Sequence, residues 1–343
     1  MFNTFEKIPY WRTRVCDIDE ALDTAKRGQV HTLCKSAGGR TIRYITYGEK
    51  ENYNRTANLS SACGARDPKY YADREGKRPT IMIIGATHGQ ETEGICGILN
   101  LIKMIETGTD FRGERVESMM QAFEESDCRL IIIPAYNLDG RARCEPDSML
   151  EEPPESLRYH GQGTWKDGSL CGWPECKTIH PIKEAAGFLG AYYNDDGINL
   201  MHDNFFAPMA EETRALLKLA DEEAPECVMG LHGGSNSTNV ILQPDYAPLN
   251  ICEGVYRLAQ EGARLAEAQG LPSNVQAIKS GVPKGTPSFN LTSALVHVCN
   301  CVSGTYESNE GLVDRNQFNA DMILRHHYCL FESMFRCAWR ENA

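Results

Sequence analysis

No apolar run in this 343-residue chain approaches the roughly 20 residues that a helix needs to cross a bilayer. The most apolar stretches, such as Arg129-Leu-Ile-Ile-Ile-Pro134, have only the length of a strand. Basic clusters are equally scarce: 35 Lys and Arg stand against 47 Asp and Glu, a formal net charge of -12, which argues against nucleic acid and against membrane as partners. The opening residues, MFNTFEKIPYWRTRV, lack the charged start, continuous apolar segment and small-residue cleavage site of a secretory signal, so a cytoplasmic location is expected. The paired C-x-x-C spacing of structural zinc modules is also missing, although Cys171-G-W-P-E-Cys176 and Cys299-N-Cys301 bring cysteines close in sequence. Fourteen cysteines spread over such a length are expected as reduced, buried thiols. Repeats, low-complexity tracts and a dividing linker are absent too, so one domain over residues 1–343 is expected.

What the chain does contain is an alternation of strand-like and helical patterns. Strands are expected at Val30–Leu33, Thr41–Tyr47, Thr80–Gly85, Leu130–Ile133 and Cys227–Leu231. Helices are expected over about 17–28, 91–106, 210–223, 248–269 and 316–340, with polar caps at their starts and glycines such as Gly108 and Gly270 at their ends. That alternation predicts an α/β domain. Between about 141 and 194 the periodicity fades while Pro, Gly, Trp and Cys cluster, which predicts a long irregular insertion that shapes a site.

The titratable residues gather where strands end. Gly85-A-T-H-G-Q-E-T-E-Gly94 follows the run from Thr80, so His88 and Glu91 leave a buried strand through a tight turn. An imidazole and a carboxylate three residues apart can face one point. Zinc accepts such ligands at about 2.0 to 2.2 Å, and catalytic sites use three protein ligands with one position left for water. Glu91 also fits as an acidic first-turn residue complementing a helix dipole. A second apolar strand, Glu226-C-V-M-G-L-His232, ends in another imidazole at the kind of edge where open α/β sheets bind ligands. A third strand-like run, Val296-H-V-C-N-C-V-S-G-T-Tyr306-Glu307, delivers a carboxylate suited to taking a proton from a metal-activated water.

In this order, His88-x-x-Glu91, His232 and Glu307 give the chain a pattern that resembles the zinc carboxypeptidase family, the M14 metallopeptidases. Lys35-Ser-Ala-Gly-Gly-Arg-Thr-Ile42 resembles the family's K-S-x-E-G-R-x-I, Asn137-Leu-Asp-Gly140 its N-P-D-G turn, and Gly197-Ile-Asn-Leu200 the start of its G-V-D-L-N-R-N-F. The resemblance implies a mixed, mostly parallel sheet with helices on both faces. It implies one zinc ion held by His88, Glu91 and His232, with Glu307 as general base, and cleavage of an amide or peptide bond in a small peptide or acylated amino acid. An arginine after the Asn137 turn is implied to hold the oxyanion; Arg141, Arg143 and Arg158 are on offer, and Arg143 is taken.

Three substrate-binding residues follow from the same resemblance: Asn137, His202 and Lys284. Met201-His202 stands where the family's Asn-Arg clamps a terminal carboxylate, and neither residue reproduces the guanidinium's bidentate fork. Lys284 sits in Gly281-V-P-K-G-T-P-S-F-Asn290, in place of a loop that often carries a tyrosine. Glu93 is expected to support the site or to face solvent. The altered clamp opens two further readings: a deacylase or amidase similar to succinylglutamate desuccinylase and aspartoacylase, or a non-catalytic metal-binding protein on the same fold.

Overall fold

The Ser36–Arg40 turn joins β1 (Gln29–Lys35) to β2 (Thr41–Tyr47) as an antiparallel hairpin, closed by the Ser36 amide donating to the Arg40 carbonyl at 2.8 Å. The computed structural model describes residues 4–234, 239–279, 286–313 and 318–340. Next come β3 (Thr80–Ile84) and β4 (Arg129–Ile133), whose side chains are all buried, as continuous apolar runs require when both sheet faces are covered. Residues 141–194 form a small separate sheet of β5 (Gly163–Trp165) and β6 (Ala186–Leu189). The chain then returns to the main sheet with β7 (Cys227–Gly234), β8 (Val240–Leu242) and β9 (Val302–Asn309).

The main sheet runs β1-β2-β4-β3-β7-β9-β8. Its four central strands, β4, β3, β7 and β9, are parallel, and the strands at both edges are antiparallel. Helices cover it in two groups. Glu93–Thr107, Glu117–Ser126, Leu249–Glu267 and Ala320–Phe335 pack together, while Glu211–Glu223 packs with Leu291–Cys299. The expected α/β architecture with a mixed, mostly parallel sheet is the one observed. No helix among the described residues is long and apolar enough to cross a membrane.

Several boundaries differ from expectation, each for a local reason. The helix expected over 17–28 is Val15–Asp23, preceded by a short one at Thr4–Lys7, and the last one is Ala320–Phe335; the first and last of the expected helices are thus shorter than expected. Residues 296–299, expected in a strand, finish a helix over Leu291–Cys299, capped by the Asn290 side chain accepting from the Ser293 amide at 3.2 Å. Asn300 at φ 52 ends that helix in the left-handed region, so β9 starts only at Val302. The helix Glu117–Ser126, which buries Met119, Met120 and Ala122, was not among the expected elements.

Candidate functional site

Because β3, β7 and β9 are adjacent and parallel, their C-terminal ends reach the same edge of the sheet. Ile84 lies beside Gly230, two residues before His232, and His232 itself is paired with Glu307. Sheet register thus sets two of the motif residues side by side. After β3, Ala86 takes a left-handed φ of 45 and the chain turns sharply into His88. Gly89 has to be glycine: a Cβ there would sit 2.2 Å from the Arg141 nitrogen, so the turn lies directly on the segment that follows Asn137. Thr92 is the cap of the next helix, which leaves Glu91 outside it; the acidic first-turn residue is Glu93.

His88, Glu91 and His232 are all buried, and each offers a ligand atom within 4.8 Å of the others. Nδ1 of His88 is 2.7 Å from one Glu91 oxygen, and Nδ1 of His232 is 3.0 Å from the other. The Nε2 atom of His88 lies 3.3 Å from Oδ1 of Asn199, an oxygen fixed as an acceptor by the Met201 amide at 2.9 Å. Both nitrogens of His88 therefore face acceptors, while burial pushes its pKa down and favours the neutral ring with a single proton. A cation on the Nδ1 side, with the proton kept on Nε2 for Asn199, satisfies both contacts, so the donor set fits a metal of the zinc type. Tyr192 stacks on the His88 ring at 3.6 Å between centroids and fixes its plane.

The charge states agree with that fit. Burial alone would raise Glu91, but the two imidazoles hold it down at about 2. For His232 the Glu91 carboxylate outweighs burial and raises the pKa. Glu307 is pushed up to about 7, by burial first, with Glu91 adding to the rise and His232 and Lys177 opposing it. A carboxyl that titrates near neutrality beside three candidate ligands is suited to accept and return a proton.

Asn137 and Arg143 do not join this group. Oδ1 of Asn137 accepts from the Gly140 amide at 2.9 Å and its Nδ2 donates to the Ala191 carbonyl at 3.1 Å, so the side chain is spent on its own turn and on holding the end of the insertion. Arg143 ion-pairs with Asp195 and donates to the carbonyls of Leu189 at 2.8 Å and Gly190 at 3.0 Å, which ties the end of the insertion to the main body. Arg141 is buried as well, and its two terminal nitrogens donate to the carbonyls of Gly89, Cys144 and Pro146. Lys284 lies outside the described residues. His202 is brought close: it lines a cavity of about 270 Å3 together with Lys177, His180, Tyr193, Asn199 and Ser288. A larger cleft of about 950 Å3, lined by Arg257, Glu261 and Arg336, contains none of the motif residues.

The other motif matches turn out to be contacts with one another. Asp139 of the Asn137–Gly140 turn accepts from the Ser36 hydroxyl at 2.5 Å, the Gly38 amide at 2.8 Å and the Arg40 guanidinium at 2.8 Å. Sequence reasoning missed Lys177, Tyr192 and Asn199. Asn199 was visible in the Gly197–Leu200 match, whereas Lys177 and Tyr192 lie in the insertion, where periodicity gives no signal. Glu93 does not face solvent: it is fully buried with Glu310 near Gly233, and burial raises Glu93 to about 8 and Glu310 well above its usual range.

Residues 20–165, which include His88, Glu91 and the Asn137 turn, match the family model described as zinc carboxypeptidase, peptidase M14. No curated protein matches the chain. A metallo-carboxypeptidase from Burkholderia cenocepacia shares the fold at a TM-score of 0.58 and 12% identity, over 94% of this chain and 68% of that one. A metallo-carboxypeptidase from Pseudomonas aeruginosa, in complex with (2-guanidinoethylmercapto)succinic acid, aligns at 0.54 and 12% identity, over 93% of this chain and 66% of that one. Carboxypeptidase A from Helicoverpa armigera aligns at 0.53 and 14% identity, over 96% and 74%. At such identities the likeness is one of fold. The family match spans less than half of the chain, and the solved structures add the shared fold.

Proposed function

We propose that this zinc-carboxypeptidase-like chain hydrolyses an amide or peptide bond in a small peptide or acylated amino acid, with one zinc ion held by His88, Glu91 and His232. The observation that carries the reading is the convergence of both Nδ1 atoms on the two oxygens of one carboxylate, at 2.7 and 3.0 Å. When bound, zinc supplies Lewis-acid polarisation of the carbonyl and brings the acidity of water near neutral pH. Glu91 is ready as an anion and His88 as a neutral ring, while His232 gives up its proton on binding. Asn199 accepts from Nε2 of His88 and so holds the ring's tautomer, and Tyr192 holds its plane.

Glu307 takes the proton of the attacking water and passes it to the departing amine, the two halves of general acid/base catalysis by one group. Arg143 acts as a positioning residue rather than at the oxyanion, because its ion pair and carbonyl contacts hold the insertion in place. Asn137 likewise shapes its turn instead of meeting substrate. The test is metal analysis of the purified protein together with a panel of free and amidated peptides and N-acyl amino acids, repeated on His232→Ala. Stoichiometric zinc and turnover in the wild type, both lost in the variant, are expected. Zinc without turnover on any amide favours the metal-binding protein, and turnover confined to N-acyl amino acids favours the deacylase.

A further inference from the structure

Where the resemblance calls for a guanidinium, this chain has Met201-His202, yet the cavity beside the site is not without a cation. Lys177, on the stretch between β5 and β6, brings its ammonium 2.9 Å from Nε2 of His202. An ammonium can only donate, so this nitrogen accepts. Burial, and then Lys177 itself, push the His202 pKa down to about 3, so the ring is neutral and its proton is on Nδ1. That N–H faces Oγ of Ser288 at 3.2 Å, which leaves the hydroxyl hydrogen of Ser288 free to donate elsewhere.

The cavity these groups line, about 270 Å3, is of the size of a single amino-acid residue, and no carboxylate of the described residues lines it. Among the described residues no acidic side chain pairs with Lys177; the face of Trp173 lies 5.4 Å from the ammonium. The lysine lines the cavity and is exposed, so a ligand can reach it. Asn199 joins the two regions, since it lines the cavity and also contacts His88. Lys177 is close enough to Glu307 and Glu91 for their charges to act on it.

Building on the hydrolase reading, we propose that Lys177, oriented by His202 and assisted by Ser288, anchors a carboxylate that the substrate carries within one residue of the bond to be cut. A single ammonium and a hydroxyl impose less geometry on that carboxylate than a guanidinium fork does. The anchor therefore accepts the α-carboxylate of a terminal residue or the side chain of an acidic one.

Wild type, Lys177→Met and Lys177→Arg, matched for zinc content, are compared on three N-acyl dipeptides: one with a free neutral terminus, its amide, and an amide ending in glutamate. The preference for carboxylate-bearing substrates over the neutral amide is expected to fall by about 10-fold or more in Lys177→Met, mainly through KM, with partial recovery in Lys177→Arg. A loss on the free terminus identifies the α-carboxylate as the anchored group, and a loss on the glutamate amide identifies the side chain. In parallel, calorimetry on the zinc-free protein measures binding of N-acetylglutamate, which Lys177→Met should weaken by about 10-fold. A preference and an affinity both unmoved by Lys177→Met overturn the anchor. If the wild type cuts none of the substrates yet binds N-acetylglutamate through Lys177, the hydrolase reading fails and Lys177 stands as a carboxylate-binding residue.

Discussion

Glu307→Gln separates proton transfer from everything else the site does. Gln has nearly the same shape, and β9 is held beside β7 and β8 through its backbone, so the pairing of residue 307 with His232 and Val240 survives the change. The three candidate ligands are untouched, and zinc content should match that of the wild type. What disappears is a carboxyl that burial and Glu91 have moved up to about 7. Losing a positioned acid/base group costs typically 10²-fold or more, about 2.7 kcal/mol of barrier at the lower end. In the wild type the base must be ionised to work, so kcat/KM should rise with pH toward its plateau and fall about tenfold per unit below the limb. A bound divalent cation draws that limb below 7, since positive charge favours the anion. The assay is a profile of kcat/KM from about pH 5 to 9 on zinc-matched wild type and variant. A rate little changed in the variant, with the acid limb still present, refutes the role given to Glu307.

Zinc binding should weaken as pH falls, because His232, raised by Glu91, must lose its proton to ligate; competition with a zinc-sensitive dye at several pH values checks this, and a flat affinity contradicts it. Gly97→Ala should destabilise the fold, since the new Cβ would lie 2.8 Å from Cβ and Cγ of His327 where two helices cross. Such overpacking costs about 1 to 3 kcal/mol, against roughly 0.5 to 1 kcal/mol returned by the better helix former; urea unfolding measures the difference. His327 is fully buried and its pKa is pushed down to about 4, so the folded state binds its proton less readily than the unfolded chain does. Its contribution is whole above about pH 6.5 and is lost as pH falls through about 4, on the order of 3 kcal/mol. Acid unfolding of His327→Gln should therefore be shallower over that window than that of the wild type.

Much of the fold was legible because its signals are local. The runs at Thr80 and Arg129 are apolar at every position and became strands buried on both faces. His88, Glu91 and His232 announced themselves by standing where such runs stop, and they meet because the strands that carry them are neighbours. The helix Leu291–Cys299 was misread, since Val296, Val298 and Val302 form one β-branched run that continues past the boundary at Asn300. The substrate side of the site was hidden for a different reason. Arg143 and Asn137 lie at the right distance from the motif in sequence, yet their donors are taken up by Asp195, Leu189, Gly190 and Ala191, some 50 residues further along.

The sequence by itself determined the strands, the three candidate ligands and the carboxylate beside them, because each depends on residues a few positions apart. Only the tertiary structure decided which cations are free to meet a substrate. An arginine is available or spent according to the carbonyls and carboxylates that long-range packing sets around it, and Lys177 meets His202, 25 residues further along, only through the fold of the insertion. Charge is written in the sequence, but the partner that neutralises it is chosen by the fold.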